Sequence, residues 1–398
     1  MNKKLILVYP WDNLSSFNEI NSKKEFTDEI RGGHLFDLLH YFASNFGIES
    51  EVIRFYNHKL SSEKLDKFNS GNIDGVNVKL IPVNDKYLLS KLYNKNFFNY
   101  INKQYYKHEI YLILNGLHFW LTYQIGFLSR KIPVICSQAG TRPPKFREGN
   151  VLINSVKTAI ERLSFTGIDR FYAVSPYTTD YLSDLLGEKI LFEYLYAKHS
   201  KLYFNISKEE ARKTLGLDIS KKIVLFVGRI SHGKGAHNFI ELKKLMQNKD
   251  IEFIMVGSIS NEDLYKKATS LDIKVVGKVL KEDMILYYNS ADIFVECEFD
   301  DEVVKFGGIG SAVVESLMCD RPVIGKALRL LPFRNLDKFI PENISEAAHL
   351  VDDILKNPKI YKDCGTNNLI KESYDIKYIY PKFNDLLSEL NSKYYTKK

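Results

Sequence analysis

Residues 222–235 read KIVLFVGRISHGKG: a short apolar run, then a glycine-broken loop carrying two cations, Arg229 and Lys234. A run of this kind is a strand buried on both faces. In open α/β sheets ligands sit beyond the carboxyl ends of the strands, where Arg229 and Lys234 fall. Arginine offers phosphate oxygens a rigid fork, and lysine offers a point charge. A helical pattern begins near Lys234, so unpaired N–H groups face the same place. Gly228, Gly233 and Lys234 have the spacing of a nucleotide-triphosphate loop. That loop needs Ser or Thr next, to hold Mg²⁺, and Gly235 stands there instead. Three readings remain at this point: a damaged triphosphate loop, a different phosphate site, or a turn with two solvated cations.

Outward from this stretch, short apolar runs alternate with amphipathic ones. IEFIMVG, IKVVG, ADIFVEC and RPVIG read as further strands, with KGAHNFIELKKLMQN, NEDLYKKATSL, KEDMILYYNS and SAVVESLMC between them as helices. The same alternation runs through the first half. KLILVYP, SEVIRFY, VNVKLIPV, EIYLILN, IPVICS and RFYAVS are strands, and HLFDLLHYFASNFG is a helix. This is the pattern of parallel sheets covered by helices. The chain of 398 residues is long for one hydrophobic core, so two α/β domains are expected. Their expected bounds are 1–195 and 219–375, with an irregular, charged linker over 196–218 and a helical tail over 376–398.

A net charge of +7 suits anionic ligands. It is too small and dispersed for nucleic acid, and no nucleic-acid motif appears. Cys136, Cys297, Cys319 and Cys364 are far apart, with no metal or disulfide spacing, as expected in a reducing cytoplasm. The start, MNKKLILVYPWDN, has too short an apolar stretch for a signal peptide. YLILNGLHFWLTYQIGFL is broken by Asn115, His118, Thr122 and Gln124, and reads as strand, turn and helix instead of a membrane span.

A second signal is FGGIGSAVVESLMCDRPVIG, 306–325. Its glycines permit close approach to a ligand, and a helix follows with Glu315 among apolar neighbours. A carboxylate there needs a partner, and a ligand hydroxyl is one; the alternative is a Glu on an exposed helix face. Taken together, LFVGRISHGKGAHNFIEL and ADIFVEC…GGIGSAVVESLMCDRPVIG resemble the donor-domain motifs of the family 4 glycosyltransferases of the GT-B fold. GIDRFYAVSPYTTDYLSDLLG and RGGHLFDLLHYFASNFGIESEV are similar to segments of the same family. The resemblance is strongest over 221–326.

The resemblance implies two Rossmann-like domains facing each other across a cleft, and a nucleotide-sugar donor transferred with retention. It makes Lys-Gly, not Lys-Ser/Thr, the family's own pattern. It implies that Arg229 and Lys234 grip the donor diphosphate, so no metal cofactor is expected. Glu315 matches the second Glu of the family's paired-Glu motif, which implies contact with the ribose hydroxyls. Gly228, Gly308, Ile309, Gly310 and Ser311 would lie against the donor, and Val279 would border the base. Gly32 and Gly33 match the glycine-rich loop of the first domain.

The sequence departs from the family pattern in places. Gly307 stands where the first Glu of the pair belongs. An inserted acidic loop, EFDDEVVKF, brings Asp300, Asp301 and Glu302 as candidate replacements, or a solvated turn. The family's His after a middle strand is missing at CSQAGTRPP, where Gln138 or Ala139 stands. His118 is the candidate stand-in, against a histidine packed at a helix start. The turn expected after the linker strand is replaced by LYAKH.

The expected acceptor is a glycan or a lipid-linked sugar, bound by the first domain. The segment 86–108 alternates Lys91, Lys95, Lys103 and Lys107 with Phe97, Phe98, Tyr100, Tyr105 and Tyr106. That combination suits docking on an anionic bilayer at the inner face of the membrane; the alternative is a helix whose aromatics fill the core and whose lysines face water. Two other functions share the same residues: a sugar-nucleotide epimerase of the same fold, and a non-catalytic sugar-nucleotide or glycan binder.

Overall fold

The computed structural model describes residues 1–9, 23–31, 35–57, 71–83, 94–116, 120–128, 131–137, 143, 149–173, 175–186, 191–193, 203–246, 250–362 and 366–396. The chain divides into two compact units, Met1–Ala197 with Ile379–Lys398, and Lys198–Tyr378.

The first unit runs β1 (Asn2–Val8), α1 (Lys23–Arg31), α2 (Phe36–Phe46), β2 (Glu49–Asn57), β3 (Asn72–Ile73), β4 (Val76–Val83), α3 (Lys95–Tyr105) and β5 (His108–Asn115). It continues with α4 (Trp120–Leu128), β6 (Val134–Ser137), α5 (Val151–Phe165), β7 (Arg170–Ala173), α6 (Pro176–Leu186) and β8 (Leu191–Glu193). Its eight-stranded sheet has the order β3-β4-β2-β1-β5-β6-β7-β8. All pairs are parallel except β3 with β4. The central strands are apolar along their length because both faces are covered: Leu5, Ile6, Leu7 and Val8 of β1 are fully buried, as are Ile110 to Leu114 of β5.

The second unit contains α7 (Lys208–Leu215), β9 (Lys222–Val227), α8 (Ala236–Leu245), β10 (Ile251–Val256), α9 (Glu262–Ser270), β11 (Lys274–Gly277), α10 (Met284–Ser290) and β12 (Ile293–Val295). Then follow α11 (Asp301–Gly307), α12 (Ser311–Met318), β13 (Val323–Ile324), α13 (Ile344–Lys356), α14 (Lys359–Lys362) and α15 (Thr366–Tyr374). Its sheet is five-stranded and parallel, in the order β11-β10-β9-β12-β13. From β9 the chain winds outward to β10 and β11, then returns to lay β12 against the other side of β9. The order therefore reverses between β9 and β12, and the crevice there is the default ligand position of an open α/β sheet.

Two segments differ from the sequence reading. The acidic stretch expected as a loop forms α11. Asp300 caps it, its Oδ1 accepting the Glu302 and Val303 N–H groups at 2.8 and 3.3 Å, while Val304 and Phe306 turn inward. Within the stretch read as an irregular linker lies α7. Ser207 caps α7 by accepting the Glu210 N–H at 3.0 Å.

A buried ion pair ties α7 to the sheet. Arg212 donates to Asp292 at 2.7 Å and to the carbonyls of Ser290, Ile219 and Lys221. Asp292 also receives Lys208 and the Ile223 N–H. Burial works against the Asp292 charge, but these donors outweigh it and hold its carboxyl below the usual range. A depressed carboxyl stabilises the fold above its unfolded pKa and loses that contribution as pH falls through the folded value. Asp292→Asn is expected to lower the unfolding free energy by about 3 kcal/mol at pH 7, because Arg212 stays buried without its anion. The deficit should narrow in melts taken below about pH 4.

The final helix, α16 (Ile376–Tyr394), packs its aromatic side on the first unit. Tyr380 meets Tyr41 and Phe42, and Phe383 meets Phe42 and Tyr172. Asn391 donates to Glu109 and to the Tyr111 hydroxyl, each at 2.9 Å. In α3, Phe97 and Ile101 are buried and Phe98, Tyr100 and Tyr105 pack against the same core. Of the five aromatics that suggested bilayer docking, Tyr106 alone is largely exposed, at 75%. Lys95, Lys103 and Lys107 face solvent, and Lys91 lies outside the described residues. The helix therefore spends its aromatics on the core, the second of the two sequence readings.

Candidate functional site

The carboxyl ends of β9, β11 and β12 gather the residues singled out in the second unit. Gly228 and Arg229 follow β9 directly. Gly228 extends the strand, its N–H donating to the Val256 carbonyl at 2.9 Å, and Ile230 bridges to Ile259. The chain then makes a short 3₁₀ turn, His232–Lys234, and enters α8 from Gly235. Arg229 and Lys234 are exposed, and among the described residues neither side chain is hydrogen-bonded or ion-paired. His232 and His237 lie with ring centroids 4.8 Å apart beside Lys234. Burial pushes His237 below the ordinary histidine range.

Gly235 explains why serine or threonine does not follow Lys234. Its φ is +70°, and a Cβ there would stand 2.1 Å from the Cys297 carbonyl oxygen. The Asn238 amide donates to that same oxygen at 2.8 Å. The turn after β9 is thus pressed onto the turn after β12, and only glycine fits between them.

After β12 come Glu296, α11 and the glycine turn. Gly308 has φ +71°, and Gly310 precedes α12 with no side-chain cap. A Cβ at Gly307 or Gly310 would meet nothing within 4 Å, so the turn borders open space. Gly235 likewise offers α8 no side-chain cap. α8, entered directly after β9, and α12, which follows α11, therefore both begin without side-chain caps. Ile309 and Ser311 flank the Gly310 turn and are half-buried. Val279, also half-buried, follows β11 at the same edge of the sheet.

Glu315 sits in α12 and is 9% exposed. The Tyr288 hydroxyl, from α10, donates to its Oε2 at 2.7 Å. The partner that burial demands is thus a tyrosine, which the sequence did not reveal because α10 lies far from α12 along the chain. Asp301 is drawn to Lys326 at 2.9 Å and Arg329 at 3.2 Å, and Lys326 holds its carboxyl below the usual range. Glu302 pairs with Lys305 at 3.3 Å. Asp300 is engaged as the cap of α11, so all three candidate replacements for the missing Glu have protein partners. Gly32, Gly33, His118, Gln138 and Ala139 lie outside the described residues. Among the described residues no cluster of three or more His, Cys, Asp or Glu could hold a metal ion.

Sequence reasoning missed Glu296, a carboxylate directly at the end of an apolar strand. It accepts the N–H groups of Glu298 at 3.0 Å and Ala327 at 3.4 Å. Burial pushes its carboxyl up to about 7; the two N–H groups and the Lys234 charge oppose that shift, and the Glu298 charge adds to it. Because the folded pKa is raised, ionisation destabilises the fold, and stability falls as pH climbs from about 4.5 to 7. Glu296→Gln is expected to unfold with little change at pH 5 and to gain about 2 kcal/mol over the parent at pH 8.5. Thermal melts at the two pH values check this; an equal effect at both would refute it.

Residues 207–369 match the family model described as "Glycosyl transferases group 1". Trehalose synthase of Pyrococcus horikoshii is 22% identical over 194 residues, covering 44% of this chain and 45% of that protein, so the chain aligns with less than half of that curated relative. Sucrose-phosphate synthase of Thermosynechococcus elongatus superposes with a TM-score of 0.73 at 15% identity, over 98% of this chain and all of that one. Anabaena HepE in complex with UDP gives 0.69 at 15% identity, over 97% of this chain and all of that one. Gly235 is accounted for by its contact with Cys297. Residues 207–369 are thus similar to the group 1 glycosyl transferases, and the chain has the GT-B fold of these solved structures.

Proposed function

We propose that this protein transfers a sugar, with retention, from a nucleotide-diphosphate sugar to a glycan or lipid-linked saccharide. The observation that carries the reading is the pair of exposed cations, Arg229 and Lys234, which among the described residues have no hydrogen-bond or ion-pair partner and stand at the end of β9, beside the sheet's reversal point and the uncapped start of α8. Such a site attracts a dianionic diphosphate. As the bond from the anomeric carbon to the diphosphate breaks, negative charge grows on the leaving nucleoside diphosphate. Two fixed cations and preoriented N–H groups stabilise that charge without reorganising. In this reading they stand where a divalent metal would otherwise serve. Glu315, steadied by Tyr288, takes the ribose hydroxyls, and Val279 lines the base.

A solved HepE structure holds UDP, which makes uracil the first base to try. Thermal melts with UDP-, GDP- and ADP-sugars provide the test, since a ligand bound only to the folded state raises the melting temperature. One base should give a clear rise, with slow release of the matching diphosphate. No rise with any of the three, or brisk Mg²⁺-dependent ATP hydrolysis, would overturn the proposal.

A further inference from the structure

The helix α5 is amphipathic in an unusual sense. Its core side carries Glu161, Ser164 and Phe165, while large apolar residues stand in solvent. Exposure is 79% at Val151, 72% at Leu152, 53% at Ile153 and Val156, and 64% at Leu163. Leu152, Val156, Ala159 and Leu163 follow at spacings of four, three and four, so they form one stripe along the helix. At 3.6 residues per turn, exposed Arg162 falls on one flank of the stripe, while exposed Lys157 lies farther round, toward the row of Glu161. The neighbouring helix α4 presses close: a Cβ at Gly126 would lie 2.3 Å from the Ser164 carbonyl oxygen. It exposes Trp120 and Phe127, each 43%. The one acidic residue of α5, Glu161, is fully buried and bound by the hydroxyls of Tyr123 and Tyr181. Among the described residues of α4 and α5, no acidic side chain faces solvent.

We propose that the exposed stripe of α5, with Trp120 and Phe127 beside it, docks the protein on an anionic lipid bilayer. An exposed apolar arc with a cation on its flank, and an exposed tryptophan on the neighbouring helix, is the pattern of a helix lying in a membrane interface. A patch of this kind on a soluble face marks an interaction site. A second copy of the chain is the poorer occupant. An antiparallel two-fold contact over the stripe would bring Arg162 of one copy to the same flank as Arg162 of the other. Lipid phosphates complement them. The surface lies on the first unit, away from the donor residues in sequence, and the inference stands apart from the donor reading.

Flotation of the full chain with vesicles of phosphatidylglycerol and phosphatidylcholine tests it. The protein should float with anionic vesicles at low salt, and binding should weaken as salt rises. Leu152→Ser, Val156→Ser and Leu163→Ser together should lower binding about tenfold or more. Lys157→Ala with Arg162→Ala should lower it about fivefold per cation. The ligand-induced rise in melting temperature should be unchanged in both variants, which separates loss of docking from misfolding or from failure of the donor site. The proposal is overturned if the parent does not float, if the serine variant floats as well as the parent, or if light scattering shows that the stripe instead holds a dimer.

Discussion

Arg229→Ala combined with Lys234→Ala should reduce kcat/KM for the sugar donor by roughly a hundredfold to ten-thousandfold. Each charge-assisted contact to a diphosphate contributes about 1.5–3 kcal/mol, and two of them span that range. Both side chains are exposed and, among the described residues, without a partner, so the fold should hardly notice their loss. The unfolding free energy should change by less than about 0.5 kcal/mol. Donor affinity by calorimetry, turnover by diphosphate release and stability by denaturant titration make a complete set. If turnover survives in a folded double variant, the cations are not the diphosphate clamp and the proposed function loses its main support.

Gly235→Ala attacks the same site through the backbone. The new Cβ would stand 2.1 Å from the Cys297 oxygen, 2.4 Å from its carbonyl carbon and 2.9 Å from the Glu298 nitrogen, in a residue whose φ is +70°. Every one of these neighbours is backbone, so no side chain can rotate aside. The expected loss is on the order of 4–5 kcal/mol, at the far end of what single substitutions do. What native structure remains should bind the donor poorly, because relief of the clash moves the Lys234 turn away from β12. Gly233→Ala is the control. Its Cβ would meet nothing within 4 Å, so it should cost no more than about 1 kcal/mol. Equal tolerance of both alanines would show that the contact with Cys297 is not the reason for the Lys-Gly pair.

Local patterns carried most of the fold. A fully buried parallel strand has to be apolar on both faces, so KIVLFV and IEFIMV announce themselves without any partner in view. Helices with one apolar side do the same through their spacing. Short polar-rich elements were less legible. EFDDEVVKF reads as an acidic loop until Asp300 is seen capping a turn whose Val304 and Phe306 find a core. The aromatic residues of α3 could face lipid or protein on their spacing alone, and the decision came from what packs against them.

The candidate site divides in the same way. The amino-acid sequence by itself determined two α/β units, the placing of Arg229 and Lys234 after a strand end, and the glycine turn ahead of Glu315. These follow from nearest-neighbour chemistry along the chain. Only the tertiary structure decided that β12 lies beside β9, so that Gly235 meets Cys297, that Tyr288 steadies Glu315, that Asp301 is committed to Lys326 and Arg329, and that Glu296 is an enclosed carboxylate. Each of these joins residues tens of positions apart. A contact of that kind depends on which strands pair and which helix faces meet, and those choices are made by packing the whole domain, not by any local run of residues.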